Sequence, residues 1–260
     1  MPAEAFTYLG DHGNAPYGRR SSEEIYNLTL AGIERLFGVG CQLVLLACNT
    51  ASAVALRRLQ QDWLPSVAPE CRVLGVFVPM VEALTAVSWR DGAPVPGRMP
   101  EDGLVGVFAT QRTIHSAAYP FEIGLRAPQM RVVSQACPQL AAAIEADEGE
   151  TVLRQMIEGY VSEMLRQTEG RAPDAVVLGC THYPLVAPYF AATLPPGTRL
   201  LNQPRIVADS LADYLSRHQR FTANLKEGRY RRFLTTGDPQ RVSAFASRIF
   251  DTELVFEKAS

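Results

Sequence analysis

VLLACNTASA, residues 44–53, sets a cysteine, an asparagine and a threonine at the end of an apolar run. VVLGCTHYPL, residues 176–185, repeats the arrangement about half a chain later. A short, nearly continuous apolar run such as Gln42–Ala47 is what a strand shows when both its faces are covered, as in a parallel sheet. Ala51–Gln61 then has helical character, so the corner reads as strand, tight turn, helix. Cys48 and Cys180 each stand at the carboxyl end of such a strand.

The unit recurs along the chain. Arg72–Val78 runs into Pro79 and a helix-like MVEALTAV, and Leu104–Ala109 runs into TQRTIHSAAY. Strands are expected at 131–134, 175–178 and 233–236, and helices at 150–167 and 208–219. Ser21 and Glu24 have capping-box spacing ahead of Ile25, Leu28 and Leu36, which predicts a helix over 21–37. Asp238 and Pro239 are placed as N-cap and first residue of a last helix. Strands alternating with helices imply an α/β fold with parallel sheets. The Gly/Pro-rich segment 90–103 is the best candidate for a domain crossing. Two similar α/β lobes explain the duplicated corner: residues 1–97 with 208–260 form the first, and 98–207 the second. Ligands of open α/β sheets sit beyond the carboxyl ends of the strands, so both cysteines are expected at one crevice.

Composition narrows the chemistry. The 260 residues carry a formal charge of −2, 47% apolar and 20% charged residues, all ordinary globular values. That charge gives no field for capturing polyanions, which argues against nucleic acid as a partner. Arg229, Arg231 and Arg232 form a short cluster broken by Tyr230, read as a solvated face. No apolar run is long enough to span a membrane and no leader pattern opens the chain, so a cytoplasmic location is expected. Five cysteines at irregular spacing, without a C-x-x-C pair, argue against a disulfide framework or zinc ribbon.

A thiol at a helix start is favoured as thiolate by the helix amides and dipole, which supplies a base or nucleophile. Asn49, Thr50 and Thr181 add donors, and unsatisfied N–H groups there suit a carboxylate. Three chemistries compete for two thiols. One thiolate can take a proton from carbon while the other thiol returns one to the opposite face, inverting the centre. A redox pair lacks local geometry for a disulfide. A metal held by Cys48, Cys180 and His182 would have poor C-x-H spacing and no evident fourth ligand. Proton transfer fits best. Pyridoxal phosphate would need a buried lysine, whereas Lys226 lies in a polar segment and Lys258 near the end. Neither G-x-G-x-x-G nor a P-loop is present. No cofactor and no metal are therefore expected.

LACNTASA, LGCTHYPL, GDHGNAPYG (10–18), ATQRTIHSAAY (109–119), SQACP (134–138) and TTGDP (235–239) together resemble the glutamate racemase family of the aspartate/glutamate racemase superfamily. The resemblance covers almost the whole chain, and six motifs in order are specific. It implies two pseudosymmetric flavodoxin-like lobes with the active site in the cleft between them. It also implies interconversion of L- and D-glutamate without cofactor, supplying D-glutamate for peptidoglycan. Carried over by motif, Cys48 is the base toward D-glutamate and Cys180 toward L-glutamate, with His182 assisting Cys180. Pro16, Tyr17, Gly18, Asn49, Thr50, Thr110, Thr113 and Thr181 would hold the substrate, and Glu145 matches a further acidic position. A homodimer is the assembly such relatives suggest. The alternatives are an aspartate or hydantoin racemase, or a non-catalytic binder on the same scaffold, since some relatives are associated with gyrase inhibition.

One element of the family pattern has no match. The opening strand that runs into an Asp-Ser-Gly corner is absent, and Ala5–Gly10 reads as the second strand. In a flavodoxin-like order the first strand is interior, so weakened or no racemization by this chain is expected. Asp11 belongs to the later YLGD motif and does not replace the missing aspartate. Cys41, Cys71 and Cys137 read as apolar fillers, and His12 and His115 as polar contacts. Met156, Tyr160 and Met164 follow helical spacing and read as core.

Overall fold

The computed structural model describes residues 5–90, 93–95, 103–222 and 231–259. β1 (Phe6–Gly10) leads through single 3-10 turns at His12–Asn14 and Tyr17–Arg19 into α1 (Ser22–Gly38). Ser21 Oγ accepts from the Glu24 N–H at 3.2 Å, and Glu24 Oε2 accepts from the Ser21 N–H at 2.9 Å, closing the expected capping box. Ile25, Tyr26, Thr29 and Ile33 form the buried stripe of α1. β2 (Leu43–Leu46) then turns at Cys48 into α2 (Asn49–Val54).

The helix expected over 51–61 is broken. After α2 come α3 (Leu56–Arg58), a wide π turn at Leu59–Trp63 and α4 (Leu64–Val67), which carries Pro65 in its first turn. β3 (Arg72–Gly75) is shorter than expected, because α5 (Phe77–Thr85) already begins at Phe77. Pro79 sits in the first turn of α5, where the helix needs no N–H from it. β4 (Ser88–Arg90) and β5 (Ala93–Val95) pair antiparallel at the start of the Gly/Pro-rich segment, whose residues 91–92 and 96–102 lie outside the described residues.

β6 (Leu104–Ala109), α6 (Gln111–His115), α7 (Ala118–Arg126), β7 (Arg131–Ala136), α8 (Leu140–Glu145), α9 (Glu150–Gln167) and β8 (Ala175–Gly179) follow. The chain ends with α10 (Ala187–Thr193), β9 (Arg199–Leu200), α11 (Gln203–Arg217), β10 (Arg231–Thr235), α12 (Pro239–Phe250) and β11 (Glu257–Lys258). Asp238 caps α12 by accepting from the Gln240 and Arg241 N–H groups at 2.8 and 3.1 Å.

The protein is mixed α/β with parallel sheets, and its chain forms two compact units. The first comprises Met1–Val44, Arg58–Leu74 and Leu211–Ser260. Its sheet has the order β1-β10-β11, all parallel, with Gly10 opposite Thr235 and Thr235 opposite Lys258. The second comprises Leu45–Arg57 and Gly75–Ser210.

The parallel sheet of the second unit has the order β7-β6-β8-β9. Every residue of β6 and β8 is buried, as the continuous apolar runs require. Leu104, Phe108, Val176 and Leu178 pack on one face with Leu140, Ile157 and Met164, while Val105, Val107, Ala109 and Val177 pack on the other with Phe77, Met80 and Tyr119. This two-residue alternation follows from the pleat. Truncating a fully buried residue such as Phe108 to alanine would cost about 3–5 kcal/mol. Gly179, the last residue of β8, is required by space. A Cβ there would stand 3.1 Å from Ala109 Cβ and 3.2 Å from Tyr119 Cε2.

Candidate active site

Cys48 is the N-cap of α2, and its Sγ accepts from the Ala51 N–H at 3.5 Å. The sequence predicts a thiol shifted toward thiolate by these amides, and the structure reverses that expectation. Burial pushes the Cys48 thiol above its ordinary value, outweighing the Ala51 N–H and Thr50, and negative charge on Cys180 pushes it the same way. Part of the residue reaches solvent, but the protein crowded around the sulfur decides the direction.

The next two residues are buried and spoken for. Thr50 Oγ1 lies 3.0 Å from Thr110 Oγ1 and 3.1 Å from Thr113 Oγ1, and those two are 3.0 Å apart. Thr110 caps α6 by accepting from the Thr113 N–H, so α6 carries both partners to Thr50. Asn49 makes a reciprocal amide pair with Gln203. Asn49 Nδ2 donates to Gln203 Oε1 at 2.9 Å, and Gln203 Nε2 donates to Asn49 Oδ1 at 3.1 Å. Tyr119 Oη donates to the same Oδ1 at 3.0 Å.

Cys180 follows β8 directly and is buried. Its Sγ lies 3.8 Å from His182 Nδ1, and His182 Nε2 lies 2.7 Å from Glu145 Oε1 at the end of α8. Burial works against the imidazolium, but the Cys180 sulfur and the Glu145 carboxylate outweigh it and bring the His182 pKa up to about 10. A protonated ring bridging sulfur and carboxylate can deliver a proton to Cys180 and, once neutral, take one back. Thr181 is exposed. Cys137 is buried beneath this group and its thiol is pushed up by burial and by charge on Cys180, in keeping with the filler reading.

Pro16, Tyr17 and Gly18 belong to the first unit, where the loops after β1 and β10 are knitted together. Asp11 is the hub. Its carboxylate accepts from Thr236 Oγ1 at 2.6 Å, Tyr17 Oη at 2.7 Å and Asn14 Nδ2 at 2.9 Å. Burial alone would raise its pKa, but these bonds and the Arg35 charge lower it. His12 Nδ1 meets Thr235 Oγ1 at 2.9 Å, a polar contact as expected, and Lys258 Nζ donates to the Thr236 and Gly237 carbonyls. Lys226 lies outside the described residues.

The second unit thus brings Cys48, Asn49, Thr50, Thr110, Thr113, Glu145, Cys180 and His182 into three bonded groups. Sequence reasoning missed Gln203 and the role of Tyr119. Tyr119 ends the ATQRTIHSAAY motif, whereas Gln203 has no local signal, being 154 residues from its partner. All five cysteines are free. Among the described residues no three His, Cys, Asp or Glu side chains group so as to hold a metal ion, and no helix is long and apolar enough to cross a membrane.

No family model matches the chain. Its sequence is 47% identical to a glutamate racemase of Phenylobacterium zucineum (strain HLK1) over 264 aligned positions, which cover all of this chain and 92% of that protein. A glutamate racemase isoform from Bacillus anthracis superposes with a TM-score of 0.84 at 27% identity, covering all of this chain and 89% of that one. Glutamate racemase from Francisella tularensis subsp. tularensis SCHU S4, solved in complex with D-glutamate, gives 0.81 at 25% identity with the same coverage. Similarity of this degree along the whole chain, on a shared α/β architecture, makes the protein a member of the glutamate racemase family, isomerases that act on amino acids.

Proposed function

We propose that this protein interconverts L- and D-glutamate by proton transfer between the substrate α-carbon and two thiols, Cys48 and Cys180. The observation that carries the reading is that both cysteine corners meet at neighbouring strand ends of one unit: Gly179, just before Cys180, lies opposite Ala109 in the sheet, and Thr110, just after Ala109, is bonded to Thr50 beside Cys48. Relatives that bear the same activity in their names, one of them solved with D-glutamate, support glutamate as substrate.

In the direction from L-glutamate, the Cys180 thiolate takes the α-proton, and the electron pair of the broken C–H bond passes to the carbanion. The Cys48 thiol then gives its proton to the opposite face and is left as thiolate. The reverse direction exchanges the roles, and the proton count is unchanged. Cys48, held protonated by its surroundings, is suited to begin as the donor. His182, steadied by Glu145, resets the charge on Cys180. Thr50, Thr110, Thr113, Thr181 and Asn49 supply donors for the carboxylates. The D-glutamate formed serves peptidoglycan synthesis in the cytoplasm.

Turnover of L-glutamate in heavy water tests this. The product D-glutamate should carry deuterium at the α-carbon, and Cys48→Ser or Cys180→Ser should cut kcat by about 100-fold or more. Racemization that persists in both variants, or product without deuterium, would exclude the two-thiol route.

A further inference from the structure

Asn49 is one residue from Cys48, and nothing local dictates which way its carboxamide faces. The surroundings do. Asn49 is 1% exposed, Tyr119 2% and Gln203 4%, so none of the three can use bulk water as a partner. A buried hydroxyl proton without an acceptor is costly. Among the described residues, Tyr119 Oη satisfies its proton only by donating to Asn49 Oδ1 at 3.0 Å. With the amide reversed, Tyr119 would accept from Nδ2 and its own proton would have no partner among the described residues. The reciprocal pair with Gln203 is indifferent to reversal if both amides turn together, so the phenol hydroxyl sets the orientation and Gln203 holds it.

That orientation has a chemical consequence. Both lone pairs of Asn49 Oδ1 are taken, one by Gln203 Nε2 and one by Tyr119. One Nδ2 proton is given to Gln203 Oε1. Among the described residues nothing takes the second Nδ2 proton, which is the polar function left to the side chain. We infer that Tyr119 and Gln203 are positioning residues that commit Asn49 to act solely as an N–H donor, and so to meet a substrate carboxylate oxygen and never an ammonium group. The inference rests on the proposed glutamate site and names which part of the ligand this residue meets.

Tyr119 is itself fixed from two sides. Its ring lies 4.1 Å, centroid to centroid, from that of Phe77, and Gly179 leaves the space its edge occupies. Tyr119→Phe therefore keeps the packing and removes only the hydroxyl that sets the amide. Gln203→Met fills similar volume and removes the partner amide.

The test is calorimetric titration of the full-length protein and both variants with D-glutamate, alongside α-proton exchange and thermal melting. Tyr119→Phe and Gln203→Met should each weaken binding by about tenfold, with KM raised by a similar factor and kcat within about threefold. A merely structural role would lower the melting midpoint and leave Kd and the split between KM and kcat unmoved. Unchanged Kd in both variants overturns the inference. Weakened binding in both variants, with no α-proton exchange in the wild-type protein, would sustain the clamp and remove the two-thiol reaction alone. Failure of the wild-type protein to bind glutamate would overturn both.

Discussion

Glu145 Oε1 lies 2.7 Å from His182 Nε2, while the other nitrogen of the same ring faces Cys180 Sγ at 3.8 Å. The imidazole is therefore held between an acceptor that fixes it and a sulfur it can serve. The Cys180 sulfur and the Glu145 carboxylate explain why a ring that is largely buried is nonetheless more basic than a free histidine.

Replacing Glu145 by glutamine removes the carboxylate. The His182 pKa, about 10 in the wild-type protein, should fall toward the ordinary value near 6.5, readable as the titration of its ring Cε1–H by NMR. The sign for stability follows from the raised value. The folded state binds the proton more tightly than the unfolded one, so the stabilisation is complete below about pH 6.5 and is lost as pH rises through about 10. The stability gap between wild type and Glu145→Gln should thus be open near pH 6 and closed above about pH 10. Because the enantiomers have equal free energy, kcat/KM must fall by the same factor in both directions, here about tenfold or more. A His182 titration unchanged in the variant would remove Glu145 from this role.

Cys48 yields a prediction opposite to the one its place at a helix start suggests. Its thiol is raised by burial, so iodoacetamide labelling, followed by mass spectrometry of the Cys48 peptide, should be about tenfold or more slower at pH 7 than for a free thiol. The rate should climb about tenfold per pH unit and still be rising at pH 9, because the thiolate fraction is far from saturation there. A plateau reached below pH 8 would restore the low-pKa reading.

The same contrast between local and long-range effects explains what was legible in the sequence. The capping box of α1 and the buried strands β6 and β8 could be read because their signals lie within a few residues of the structure they specify. The cysteine corners were legible for the same reason, each being the junction of an apolar run and a helix. The break after α2 was not, since the π turn at Leu59–Trp63 leaves the spacing of apolar residues compatible with one straight helix. α11 starts at Gln203, ahead of the expected 208. Gln203 is buried by a partner far away in sequence, and the Cys48 thiol is set by crowding that no window of residues contains. Pairings of this kind are properties of the folded interior.

Asp11 is the remaining group whose importance the sequence understated. Hydrogen bonds from Thr236, Tyr17 and Asn14 overcome burial and lower its pKa, so the folded state favours the carboxylate. That contribution is present above the unfolded value near 3.9 and is lost as pH falls through the lower, folded one. Asp11→Ala should destabilise the protein by about 2 kcal/mol at pH 7, since several bonds to one charged acceptor are lost and do not add fully. Urea unfolding would show it as a lowered midpoint, and the gap from wild type should narrow as the pH drops below about 4. Tyr17→Phe removes one of those bonds and should cost about 1 kcal/mol. Because Tyr17 is tied to Asp11 at 2.7 Å, the alanine variant also frees the 16–18 loop. A pH-independent stability gap would mean that packing around Asp11, rather than its charge, holds the two loops together.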